Sequence, residues 1–90
     1  MVEIEGKQYD LKPISARAYT KCMSREDLKG QGETAYIIAI LSQSLKADDG
    51  SSPTEDQLWE QPMRVINKLN VEACKLNGIG QETQADAEKN

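Results

Sequence analysis

Apolar positions repeat with a period of two over the first eleven residues and near 3.6 thereafter. "VEIEGKQYDL", residues 2–11, alternates apolar and polar residues on either side of Gly6-Lys7. That pattern predicts a β-hairpin with a two-residue turn, whose first position takes the positive φ open to glycine. In this register Ile4 faces Tyr9, Val2 faces Leu11 and Glu3 faces Asp10, so four apolar side chains share one face and the carboxylates look to solvent. A lone hairpin is marginal in water, so that face needs helices beneath it or a further sheet.

Pro13 stops the second strand, and Ser15 is placed to N-cap a helix over residues 16–27. Ala16, Tyr19, Cys22 and Met23 fall on one side of it; Arg17, Lys21, Arg25 and Lys29 follow at steps of four on the other. Leu28 falls among these basic residues, so the helix is expected to bend or end near Ser24, which can open a short turn with Asp27 as a capping box. After the "GQG" break at 30–32, a second helix runs from Glu33 or Thr34 to about Lys46. Ile37, Ile40, Leu41, Ser44 and Leu45 define its main face, and Tyr36 and Ile38 widen the apolar arc to roughly 200°. One contact surface does not fill that arc. The run "YIIAIL" therefore predicts a central helix, with the hairpin or first helix on one flank and the last helix on the other.

"ADDGSSP" reads as a loop, and "SPTEDQLWEQP" as a short helix with Pro53 near its first turn, a Thr54–Gln57 capping box and Trp59 as a core anchor. Pro62 opens the last helix, whose stripe is Met63, Val65, Ile66, Leu69, Ala73 and Leu76 and whose stop is Asn77-Gly78. Residues 81–90 contain no large apolar side chain and are expected to be disordered. The fold class that follows is α+β, mostly α: an N-terminal β-hairpin packed on a small bundle of three to four helices, in one domain over residues 1–80, with a polar tail.

Composition narrows the chemistry. A net charge of -4 opposes a phosphate backbone, so no nucleic-acid partner is expected. No apolar run approaches the ~20 residues that span a bilayer, and the N-terminus lacks a signal-peptide layout, which points away from membranes and to a cytoplasm. In such a compartment Cys22 and Cys74 read as small buried hydrophobes rather than a disulfide. Without histidine, the chain alone builds no Ser-His or Cys-His nucleophile. Asp48-Asp49 sits in a Gly/Ser loop whose turn chemistry accounts for it, and the loop lacks the ligand spacing of a calcium site. "GQGETA" has the form of a dinucleotide fingerprint but follows no buried strand. No catalytic residue, metal or cofactor is expected.

Partner surfaces are the remaining candidates. At least one of Tyr36 and Ile38, with Met63 near the start of the last helix as a third candidate, belongs to an exposed groove or patch for an amphipathic helix, or else all three complete the core. Arg17, Lys21 and Arg25 are candidates for charged contact with a partner, against the ordinary reading of a solvated helix face. The acidic segment from Asp48 to Glu60 has no Lys or Arg, which leaves charge-complementary self-association open.

The hairpin that ends in Gly6, Tyr9, Leu11, Lys12 and Pro13, together with Asp49, Gly50, Thr54, Leu58, Pro62, Leu76, Asn77 and Gly78, resembles the tail assembly chaperones of long-tailed bacteriophages and prophages. The likeness spans residues 2 to about 79 and rests on turns, caps and core positions. It implies a noncatalytic protein of the bacterial cytoplasm that binds the tape-measure protein, helps recruit tail-tube subunits and is not retained in the virion. In that family a longer version is often made by ribosomal frameshifting. The rival expectation is a small regulatory or antitoxin-like domain that uses its basic first helix on DNA or a protein.

Overall fold

Two residues with positive φ, Glu5 at 50° and Gly6 at 82°, reverse the chain between β1 (Val2–Ile4) and β2 (Lys7–Leu11) in the computed structural model, which describes residues 1–78. The turn is thus Glu5-Gly6, not Gly6-Lys7, and both central residues occupy the region that a type I′ hairpin turn requires. Val2 pairs with Tyr9, Glu3 with Gln8 and Ile4 with Lys7, two residues away from the sequence-derived register. A two-residue slip keeps Val2, Ile4, Tyr9 and Leu11 on one face, so the side-chain pattern alone does not distinguish the two registers. The turn does: with Glu5 and Gly6 both at positive φ, the two-residue loop sets Ile4 opposite Lys7. That register leaves Glu3 opposite Gln8 rather than Asp10, and β3 (Leu45–Lys46) sets Lys46 opposite Asp10 and Leu45 opposite Leu11, giving an antiparallel sheet in the order β1-β2-β3.

Helix α1 (Ala16–Met23) begins at Ser15, whose Oγ accepts from the Ala18 N–H at 3.1 Å. It ends at Ser24. The expected Ser24–Asp27 capping box does not form: Arg25 starts the following 3-10 turn, Glu26–Leu28, and its guanidinium takes the Asp27 carboxylate at 2.7 Å. Leu28 is buried by that turn. Gly32, at φ 95°, then admits α2 (Glu33–Ser44).

α2 is shorter than the expected run to Lys46. The Lys12 N–H donates to the Ser44 carbonyl at 2.8 Å and the Ser44 hydroxyl donates to the Lys12 carbonyl at 2.6 Å, so the chain is drawn into β3 directly after the helix. Helix α3 (Glu55–Trp59) carries the expected Thr54–Gln57 capping box, with Pro53 buried before the cap rather than inside the first turn. Helix α4 (Met63–Asn77) closes at Gly78, left-handed at φ 71°.

The packing has two centres on opposite flanks of α2. Ile38 and Leu41 join Ile4 and Tyr9 of the sheet, Leu58 of α3, and Ile66 and Leu69 of α4. Ala35 and Ala39 join Cys22 and Leu28 on the α1 side. Trp59 is not a core anchor: it is 43% exposed while its neighbour Leu58 is fully buried. Met63 and Leu76, assigned to the inward stripe of α4, are also exposed. The fold is a three-stranded antiparallel sheet against four helices. The polar tail, residues 81–90, lies outside the described residues.

Candidate partner-binding cleft

Because α2 is packed on two flanks, a strip between them faces outward. Glu33, Tyr36, Ile37 and Ile40 follow on α2 at i, i+3, i+4 and i+7, the spacing of one helical face. Tyr19 and Met23 of α1 stand on one side of this strip, and Ala73, Cys74 and Asn77 of α4 on the other, enclosing an open cleft of about 180 Å³. Its lining is apolar except for Glu33, Asn70 and Asn77. The volume is below the ~300–1,000 Å³ of small-molecule sites, and suits one or two side chains inserted from a partner. A larger groove, of about 570 Å³, runs between the sheet and α4, but Asp10, Lys12, Lys68 and Glu72 interrupt its apolar surface.

The far end of the cleft is held by Asn77. Its Oδ1 accepts from the Ile14 N–H at 2.9 Å and its Nδ2 donates to the Ala73 carbonyl at 2.9 Å, tying the start of α1 to the end of α4. Cys74 points its thiol at Asn70 Oδ1, 3.6 Å away. Both cysteines are free, and burial pushes the Cys22 thiol above its ordinary pKa, which favours the inert thiol over the nucleophilic thiolate.

The expected site residues separate. Tyr36 is half-buried and lines the cleft. Ile38 is 1% exposed in the larger core and offers no surface to a partner; at 100° per residue it lies on the sheet side of α2, away from the strip. Met63 is 53% exposed but stands two turns before Asn70, about 10 Å along α4, and does not line the cleft. Arg17 and Lys21 are exposed on α1. Arg25 lies beyond the end of α1 and is already engaged: hydrogen bonds to Asp27 and to Glu55 raise its pKa further and tie the 3-10 turn to α3. The basic row is therefore not one helix face.

Sequence reading missed Tyr19, Met23, Ile37, Ile40 and Cys74 as cleft residues. On α2 the signal was the surplus width of the apolar arc, within which Ile37 and Ile40 had been assigned to the main packing face; Tyr19, Met23 and Cys74 carried no signal beyond their apolar character.

The Asp48-Asp49 loop is a clamp. Lys7 Nζ reaches Asp49 Oδ2 at 2.8 Å and Ser51 Oγ at 2.7 Å, while Asp49 Oδ1 accepts from the Ser51 N–H at 2.9 Å. Lys7 and then Ser51 hold the Asp49 carboxyl well below the usual carboxylate range. Among the described residues no group of three or more His, Cys, Asp or Glu is arranged to hold a metal ion, and no helix is long and apolar enough to cross a membrane. No protein-family model, curated protein or solved structure matches the chain.

Proposed function

We propose that this chain is a noncatalytic tail assembly chaperone of a long-tailed phage or prophage, which shelters apolar helical segments of a tape-measure protein in the bacterial cytoplasm, helps recruit tail-tube subunits and leaves before the virion is complete. The observation that carries this reading is the cleft between α1, α2 and α4. It is largely apolar, unlike the larger groove between the sheet and α4, which charged side chains interrupt, and Met23 at its edge is 43% exposed. A groove of this kind receives the apolar stripe of an amphipathic helix, read as anchors at i, i+3 and i+4. The resemblance in turns, caps and core positions supplies the family. The rival reading, a regulatory or antitoxin-like domain that uses the basic first helix on DNA or a protein, is left with Arg17 and Lys21 on α1, since Arg25 lies beyond the helix and pairs with Asp27 and Glu55.

Coexpression with a fragment of the tape-measure protein encoded in the same genome tests the proposal. The wild type should raise the soluble yield of the fragment several-fold, and Tyr36→Ser and Met23→Ser, each with an unchanged thermal transition, should lose most of that gain. Equal soluble yield with and without the chain would remove the chaperone reading.

A further inference from the structure

Asn77 is followed by Gly78, and Asn-Gly is the pair in which an asparagine side chain closes most readily on the next backbone nitrogen, because glycine has no Cβ to hinder the approach. Open space surrounds the place a Cβ would take at Gly78. The same asparagine ties two helices together. Among the described residues, its bond to the Ile14 N–H is the one hydrogen bond between α4 and the segment from Ile14 through α1. Its half-buried side chain lines both the cleft and a second hollow of about 280 Å³, bounded by Ile14, Ala16, Tyr19 and Thr20.

This tie needs an amide. An acid at position 77 keeps an acceptor for the Ile14 N–H but has no donor for the Ala73 carbonyl, so two oxygens face each other where a hydrogen bond stood. It also places a negative charge at the C-terminal end of a helix, where the dipole opposes it, and on a lining that already holds Glu33. In an isoaspartyl product the main chain runs through Cβ and Cγ and is lengthened, which displaces the Gly78 N–H from the Cys74 and Lys75 carbonyls that it caps.

We propose that Asn77 is a modification site whose deamidation unlocks α1 from α4 and opens the far end of the cleft, whatever the cleft receives. The Gly78 nitrogen attacks Asn77 Cγ, the C–N bond of the side-chain amide breaks, and ammonia leaves with the proton of the Gly78 N–H. Water then opens the succinimide at either carbonyl, giving aspartate or isoaspartate and releasing a proton. In the folded chain the attacking nitrogen is engaged as the cap and the amide is bonded through both its oxygen and its nitrogen, so the reaction waits on opening of the last turn of α4. The latch thus protects the amide that forms it.

The full chain, incubated at neutral pH with and without urea, provides the test, with conversion at residue 77 followed by mass spectrometry of its digests. Conversion should be at least about 10-fold slower in the folded chain. Chains aged in urea, separated by ion exchange and refolded, are then compared with unaged chains treated in the same way. The aged chains should show several-fold faster amide exchange over Ala16–Thr20 and several-fold faster reaction of Cys74 with a thiol reagent, and Asn77→Asp should reproduce both. Asn67→Asp, which adds the same charge at an exposed position of the same helix, should change neither. Asn77→Ser, which removes the bond to Ile14 without adding charge, should also speed exchange over α1, and it decides the matter if the acid forms do not refold. Equal conversion with and without urea overturns the inference. So do aged chains whose α1 exchange and Cys74 reactivity match the unaged ones, or wild-type exchange over α1 in Asn77→Ser.

Discussion

Ser44 and Asn77 are polar side chains at helix ends, and each joins segments far apart in sequence. Ser44 is fully buried, and its exchange with Lys12 fastens the end of α2 to the end of β2; Asn77 caps the backbone ahead of α1 from the last turn of α4. The sequence placed both residues correctly on their helices, but no local rule names a partner 32 or 63 residues away. Leu58 and Trp59 show the same boundary of legibility. Both are apolar neighbours on one short helix, and which enters the core depends on the rotation of α3 against α2, a tertiary fact. The neighbours Ile40 and Leu41 differ likewise: Leu41 is wholly buried, while Ile40 is half-buried on the cleft. Leu41→Ala should cost about 2 to 5 kcal/mol in urea denaturation and Ile40→Ala less than about 2, because only Leu41 leaves a closed cavity. Equal losses would mean that the cleft is closed in solution.

At the scale of elements, the strand alternation, the Ser15 cap, the Thr54–Gln57 box and the Asn77-Gly78 stop were all legible because each is settled within a few residues. The hairpin register was not, since two registers put the same residues on the same face and the choice falls to whether Glu5-Gly6 or Gly6-Lys7 forms the turn, which here requires Glu5, a non-glycine, at positive φ. The loop after β3 is likewise more than a turn, because Lys7 anchors it to the hairpin through Asp49. This contact gives a pH dependence of known sign. The Asp49 carboxyl titrates below its ordinary value of 3.8 in the folded chain, so its contribution is complete above that value and is lost as pH falls through the lower folded value. Asp49→Asn should therefore be less stable than the wild type at neutral pH, and the two urea midpoints should converge between about pH 5 and pH 2. Parallel curves across that range would show that the exposed clamp adds nothing to stability, as is common for surface pairs.

At the scale of the whole molecule, α2 organises the fold and forms the floor of the candidate cleft. Its apolar arc is too wide for one partner layer, and the structure divides it between two packing centres and an outward strip. The sequence showed the surplus but not its location: Ile38 went to the core, Met63 to a separate exposed position, and the cleft formed from Tyr36 with residues of α1 and α4 that had looked like ordinary core stripes. A surplus of apolar surface can be counted along a chain, whereas the surface left uncovered is known only once three helices have been set side by side. The central claim is that this cleft receives the partner helix. Titrating the isotopically labelled chain with the tape-measure fragment and mapping amide and methyl shifts by NMR tests it most directly. Shifts concentrated at Tyr19, Met23, Tyr36, Ile40 and Cys74 are the predicted result, with β1 and Trp59 unmoved. Shifts confined to the sheet edge or to α3, with the cleft residues silent, would contradict it.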